Sequence, residues 1–129
     1  MEGSNVHLDQ VQNVVGRQLL CDFWDCEADL GSLEAVLGVL RESVRRANVT
    51  LLEIFVHEFS PQGVTAVAVI AESHIFIHTW PEKRYVAVDA FTCGTNVMPE
   101  RAIQVVSEAF SPKHTEVVQV QRRSSYHDR

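Results

Sequence analysis

The sequence predicts an α+β fold, a two-layer sandwich of an antiparallel sheet with helices on one face. Two observations carry this. Runs of β-branched and aromatic residues are linked by short turns rather than by the long crossovers that parallel strands need. The element order is strand, helix, a run of strands, helix, strand. The 129 residues, 46% of them apolar, suit one compact domain with a core that needs no disulfides. No repeat, low-complexity segment or linker divides the chain, so residues 1–129 read as a single domain.

Residues 1–13 are polar and irregular and read as a loose N-terminal arm. Residues 18–24 (QLLCDFW) form a short apolar run with an aromatic end, a first strand. Asp29, Gly31 and Ser32 supply helix-start chemistry. Leu33, Val36, Leu37, Leu40 and Val44 then recur at three- and four-residue spacing, and Asn48 stops the helix. Residues 50–59 make a second strand, Ser60-Pro61-Gln62-Gly63 a turn, and residues 64–71 a third strand. The Glu72-Ser73 step interrupts it. HIFIHTW, residues 74–80, alternates as a strand, Pro81 to Arg84 turn, and residues 85–92 form the next strand. Pro99 opens a second helix that runs to about Phe110, and residues 115–121 close the chain as a strand.

The formal net charge of -6 argues against nucleic acid, whose phosphates are bound by Lys and Arg. Arg122-Arg123 near the end reads as a solvated tail. The acidic balance mildly suits a cationic ligand. Cys21, Cys26 and Cys93 complete no zinc set, so no metal is expected. An odd cysteine count without a leader peptide reads as a reducing cytoplasm. No apolar run is long enough to span a bilayer, so no membrane partner is expected.

Chemistry-bearing residues concentrate between Glu58 and Gly94: Phe59, Thr65, Glu72, Ser73, His74, His78, Trp80, Glu82, Asp89 and Cys93. Each alone fits an ordinary antiparallel sheet. Together, AESHIFIHTWPEKRYVAVDAFTCG (residues 71–94) resembles the signature of the short bacterial and archaeal S-adenosylmethionine decarboxylases. GRQLLCDFWDC (16–26) and FSPQGVTAVAVIAES (59–73) resemble that family's flanking segments, in the same order, so the likeness runs over residues 16–121.

The resemblance implies a proenzyme that cuts itself between Glu72 and Ser73. The Ser73 hydroxyl attacks the Glu72 carbonyl, and the amide becomes an ester. Loss of the Ser73 Cα proton expels the Glu72 carboxylate, and hydrolysis of the dehydroalanine leaves a pyruvoyl group and ammonia. The products would be a β chain, 1–72, and an α chain, 73–129, opening with pyruvoyl. An unactivated serine attacks amides slowly, so a base and strain are needed. By resemblance His78 is that processing base, and Thr65 stands where the family usually carries an assisting serine. The pyruvoyl cofactor then holds the substrate amine as a Schiff base and accepts electrons as carbon dioxide leaves. Cys93 matches the proton donor, a task for which a mostly protonated thiol is suited.

Phe59 and Trp80 match positions that stack on adenine, and aromatic faces also suit a sulfonium cation. Glu72 and Glu82 match carboxylates expected near the ribose hydroxyls. Asp89 is expected to orient or cap a neighbouring group. The expected product is decarboxylated S-adenosylmethionine for spermidine synthesis. Assembly by analogy is a homodimer or higher homo-oligomer, two protomers packing sheet faces. Thr65 in place of serine, Ala66 in place of glycine and Gln18 in place of histidine depart from the family pattern, as do Lys83-Arg84 and Val86. They leave two alternatives open: an arginine or ornithine decarboxylase on the same scaffold, and an uncleaved, non-catalytic regulatory paralogue.

Overall fold

The structure, a computed structural model, describes residues 14–126. The arm expected over 1–13 lies outside the described residues. Six strands, β1 (Val14–Trp24), β2 (Leu51–Glu58), β3 (Val64–Ile70), β4 (Ser73–Trp80), β5 (Tyr85–Thr92) and β6 (His114–Arg123), form one sheet in the order β2-β3-β4-β5-β1-β6. Every neighbouring pair is antiparallel. Two helices, α1 (Leu33–Arg46) and α2 (Pro99–Phe110), pack on one face. This is the expected α+β sandwich.

Alternation along the strands assigns the faces. Val64, Ala66, Ala68 and Ile70 of β3, Ile75 and Ile77 of β4, and Val86, Val88 and Ala90 of β5 are buried under the helices, with Leu19, Cys21 and Phe23 of β1. Val36, Leu40 and Val44 of α1 and Ala102, Val106 and Phe110 of α2 complete that core. The Ser32 hydroxyl accepts the Ala35 N–H at 3.2 Å and opens α1. At the other end Asn48 turns left-handed (φ 59°), and the N–H groups of Asn48 and Val49 donate to the carbonyls of Arg45 and Val44, a Schellman closure. Pro99 stands in the first turn of α2, and Ser111 (φ 49°) ends it.

Three strands are longer than the sequence predicts, β4 only by Ser73 at its start. β1 starts at Val14, with a bulge between Val14 and Gly16. A Cβ on Gly16 would lie 2.5 Å from the Thr92 carbonyl oxygen, so the side-chain-free residue that hides this strand in the sequence is what lets β1 approach β5. β6 gains one residue before and two after the expected 115–121.

The second face of the sheet has no layer over it among the described residues. It carries Val67, Val69, Phe76, Phe91, Leu20, Val118 and Val120 between polar neighbours, and Leu20 and Val118 remain 41% and 49% exposed. Thr65, His74, His78, Trp80 and Asp89 share this open face.

Candidate active site

The chemistry-bearing residues form two sets near opposite ends of β4. The first lies at the β3–β4 turn. Ser73 begins β4 and pairs with Thr92, which brings Cys93 beside the Glu72-Ser73 peptide. The Glu72 carbonyl accepts the Cys93 N–H at 2.9 Å and faces the Cys93 Sγ at 3.3 Å. Ser73 sits at φ 131°, a backbone region that side-chain-bearing residues rarely occupy and that costs on the order of 1–3 kcal/mol. Strain therefore coincides with the one peptide bond whose carbonyl two Cys93 groups polarise. The Glu72 carboxylate accepts the Thr50 N–H at 2.9 Å, and the Ala71 N–H donates back to the Thr50 carbonyl at 2.9 Å. The first side of the turn is thus anchored to the start of β2. The Ser73 Oγ lies 3.5 Å from the His74 Nδ1.

The second set lines a cleft of about 290 Å³ formed by Phe59, Gln62, Gly63, Thr65, His78, Thr79, Trp80 and Glu82. The register pairs Thr65 with His78, and the Thr65 Oγ1 meets the His78 Nδ1 at 3.0 Å. Burial pushes the His78 pKa below its ordinary value, partly opposed by the negative charge of Asp89. The imidazole is therefore held toward its neutral, proton-accepting form. Phe59 and Trp80, 51% and 37% exposed, offer ring faces at the rim, and Glu82 sits in the short 3₁₀ turn after β4. Gly63 closes the β2–β3 turn at φ 106°, where a side chain would also crowd the Thr79 carbonyl.

Ser73 and His78 lie five steps apart along β4, about 16 Å at roughly 3.3 Å per residue. One chain thus brings Glu72, Ser73 and Cys93 together. It brings Phe59, Thr65, His78, Trp80 and Glu82 together, and it holds the two groups apart. Glu72 lies with the first set and Glu82 with the second.

Other residues at these sites escaped the sequence reading. Tyr85 faces Trp80 across the turn, 5.2 Å between ring centroids, and Trp24 stacks on Tyr85 at 6.3 Å. The Tyr85 hydroxyl donates to Asp22, and burial with that carboxylate pushes its pKa up to about 12. The signal for Tyr85 was available, since a tight turn after Trp80 makes the two direct partners. Ala66 points into the core, so its methyl stands away from the cleft. Arg84 is drawn to Asp25 at 3.5 Å. Cys21 and Cys26 are buried, and burial raises both thiols, Cys21 to about 12. Among the described residues, no group of three or more His, Cys, Asp or Glu residues is placed to hold a metal ion, and no helix is long and apolar enough to cross a membrane.

Comparison with known proteins gives one consistent result. The family model for S-adenosylmethionine decarboxylase matches residues 17–123. The S-adenosylmethionine decarboxylase proenzyme of Methanococcus aeolicus is 43% identical over 111 residues, covering 85% of this chain and 95% of that protein. The proenzyme of Thermomicrobium roseum is 44% identical over 109 residues, covering 84% and 93%. The crystal structure of the adenosylmethionine decarboxylase from Aquifex aeolicus superposes with a TM-score of 0.81 at 32% identity, covering 88% of this chain and 94% of that one.

Proposed function

The chain belongs to the S-adenosylmethionine decarboxylase family, and from that premise we propose that it cuts itself between Glu72 and Ser73 and then decarboxylates S-adenosylmethionine. The observation that carries the proposal is the Glu72 carbonyl, held by the Cys93 N–H and facing its thiol beside a serine at φ 131°. Attack by the Ser73 Oγ puts negative charge on that oxygen, where two donors stabilise it. Conversion of the amide to an ester frees the strained backbone. The ester then needs a base at the Ser73 Cα, and a neutral His78 oriented by Thr65 is suited to that work.

Within one chain His78 cannot reach Ser73. A homodimer resolves this. Two open faces packed together about a twofold axis crossing the strands near Phe76 lay the Ser73 end of one protomer over the Thr65–His78 cleft of its partner. The apolar residues of that face would then be covered, and each complete site would draw on both protomers.

The same packing gives the substrate a continuous site. Phe59 and Trp80 sandwich the adenine and attract the sulfonium, Glu82 takes the ribose hydroxyls, and the amino-acid head reaches Ser73 and Cys93 of the other protomer. The pyruvoyl group formed from Ser73 supplies the electron-accepting carbonyl. Cys93, facing the same point, returns the proton after carbon dioxide leaves. The resulting decarboxylated S-adenosylmethionine is an aminopropyl donor for spermidine synthesis.

Intact mass spectrometry tests the cleavage. Fragments of 1–72 and 73–129 are expected, the second blocked to N-terminal sequencing. A stable full-length chain with no carbonyl-reactive group overturns the enzymatic reading. Labelled carbon dioxide is expected from S-adenosylmethionine, and release from arginine or ornithine alone overturns the substrate assignment.

A further inference from the structure

The open face carries a polar chain that the steps above leave unused. The Arg122 Nη1 donates to the Gln18 Oε1 at 2.9 Å. The Gln18 Nε2 contacts both oxygens of Asp89 at 3.0 and 3.1 Å. The Asp89 Oδ2 faces the His74 Nε2 at 3.6 Å, and the His74 Nδ1 faces the Ser73 Oγ at 3.5 Å. The chain thus crosses β6, β1, β5 and β4 and ends on the nucleophile of self-cleavage.

The ring is held in one orientation. Phe76 and Phe91 meet it edge-on, at 4.9 and 5.7 Å between centroids. The His74 Nε2 is shielded from solvent and makes no hydrogen bond, yet a carboxylate oxygen is its nearest charged neighbour. A buried ring nitrogen beside a carboxylate favours carrying the proton there. The lone pair then stands on Nδ1, toward Ser73. Serine, imidazole and carboxylate follow one another in the order that activates hydroxyl nucleophiles on unrelated folds.

We propose that His74, positioned by Asp89, is the base that takes the Ser73 hydroxyl proton in the first step of self-cleavage. This deepens the self-cleavage reading and rests on it. The Ser73 Oγ–H bond breaks and its proton passes to the His74 Nδ1. The Oγ forms a bond to the Glu72 carbonyl carbon, the bond from that carbon to the Ser73 nitrogen breaks, and the same proton passes from Nδ1 to that nitrogen. The acyl group moves from nitrogen to oxygen with no net change in charge or oxidation state. His74 thus serves the acyl shift within one protomer, and His78 of the other protomer serves the later removal of the Cα proton. The charged groups near the ring are Asp89 on β5 and, beyond Gln18, Arg122 on β6. On β3 its cross-strand partner is Val69.

Hydroxylamine separates the two steps, because it cuts an ester and spares an amide. A His78→Ala chain is expected to stall as the ester and to be cut by hydroxylamine at residue 72. Adding His74→Asn, which keeps a polar atom near Ser73 but removes the base, should slow the appearance of the cuttable chain by roughly 100-fold. In the His78→Ala background the near-isosteric Asp89→Asn change should slow ester formation, because the ring loses the carboxylate that holds its proton on Nε2. A purely structural role for the ring would not answer to added imidazole. Imidazole should partly restore a His74→Ala chain. Ester formation at an unchanged rate in both His74→Asn and Asp89→Asn overturns the assignment of His74 while the self-cleavage reading stands. A wild-type chain that never cleaves overturns self-cleavage itself.

Discussion

Subunit complementation tests the two-protomer site directly. Ser73→Ala removes the nucleophile from one chain, and His78→Ala removes the elimination base from another. The structure puts Ser73 and His78 of one chain about 16 Å apart, five residues at roughly 3.3 Å each, whereas a base must come within about 3 Å of its proton. Rotamer changes span only a few ångströms, so neither variant is expected to complete cleavage alone. In the proposed dimer, a mixed pair would set the intact Ser73 of the His78→Ala chain against the intact His78 of its partner. Co-expression at equal levels places about half of the His78→Ala chains in mixed dimers if pairing is random. Intact mass should therefore show about half of those chains converted to fragments, with every Ser73→Ala chain whole. A mixed dimer, isolated through two affinity tags, that yields no fragments refutes the shared site. So does a His78→Ala homodimer that cleaves fully.

Further expectations follow from the same geometry. Cys93→Ala keeps the backbone donor to the Glu72 carbonyl and loses the thiol. It should still cleave, with a modest delay, and then turn over at least ~100-fold more slowly, as measured by carbon dioxide release. Burial holds the His78 pKa below its ordinary 6.5, and the proposed elimination uses the neutral ring. Elimination, followed as loss of hydroxylamine-sensitive chain, should therefore retain more than half of its plateau rate at pH 6.5 and fall below half only at lower pH. A thiol reagent at neutral pH should label half-buried Cys93 first, since Cys21 is buried with its pKa pushed up to about 12, and the mass of the labelled peptide reads this. Leu40→Ala, at a fully buried α1 position, should cost about 2–5 kcal/mol in denaturant unfolding.

The fold was legible wherever periodicity and punctuation agree. Ser32 and Asn48 bound α1 because a hydroxyl cap and a left-handed closure are local chemistry. The extension of β1 was not, because Gly16 carries little strand preference and its purpose is the close approach to Thr92. The site was legible as a set of residues and not as an arrangement. Thr65 and His78 read as one pair with Ser73 in sequence, yet an odd spacing of five along a strand sends the first and last residues to opposite faces and far apart. The His74–Asp89 contact joins residues fifteen positions apart on neighbouring strands, and only the register between β4 and β5 puts them together.

The strand order β2-β3-β4-β5-β1-β6 carries a consequence for the cut at Glu72-Ser73. The segment 14–72 supplies β1, β2, β3 and α1, and the segment 73–126 supplies β4, β5, β6 and α2. β1 from the first piece is wedged between β5 and β6 of the second. The severed pieces would interlock like the fingers of two hands, so they could part only by unravelling the sheet. The turn that once guided β4 onto β3 would also be gone, along with the loop-closure advantage of a single chain. A mature molecule that unfolds would face a search between two separate strings, one of them bearing a reactive end. Under the proposed cleavage, folding would therefore have to come first and cutting second, and the cut would make the native shape a one-way destination.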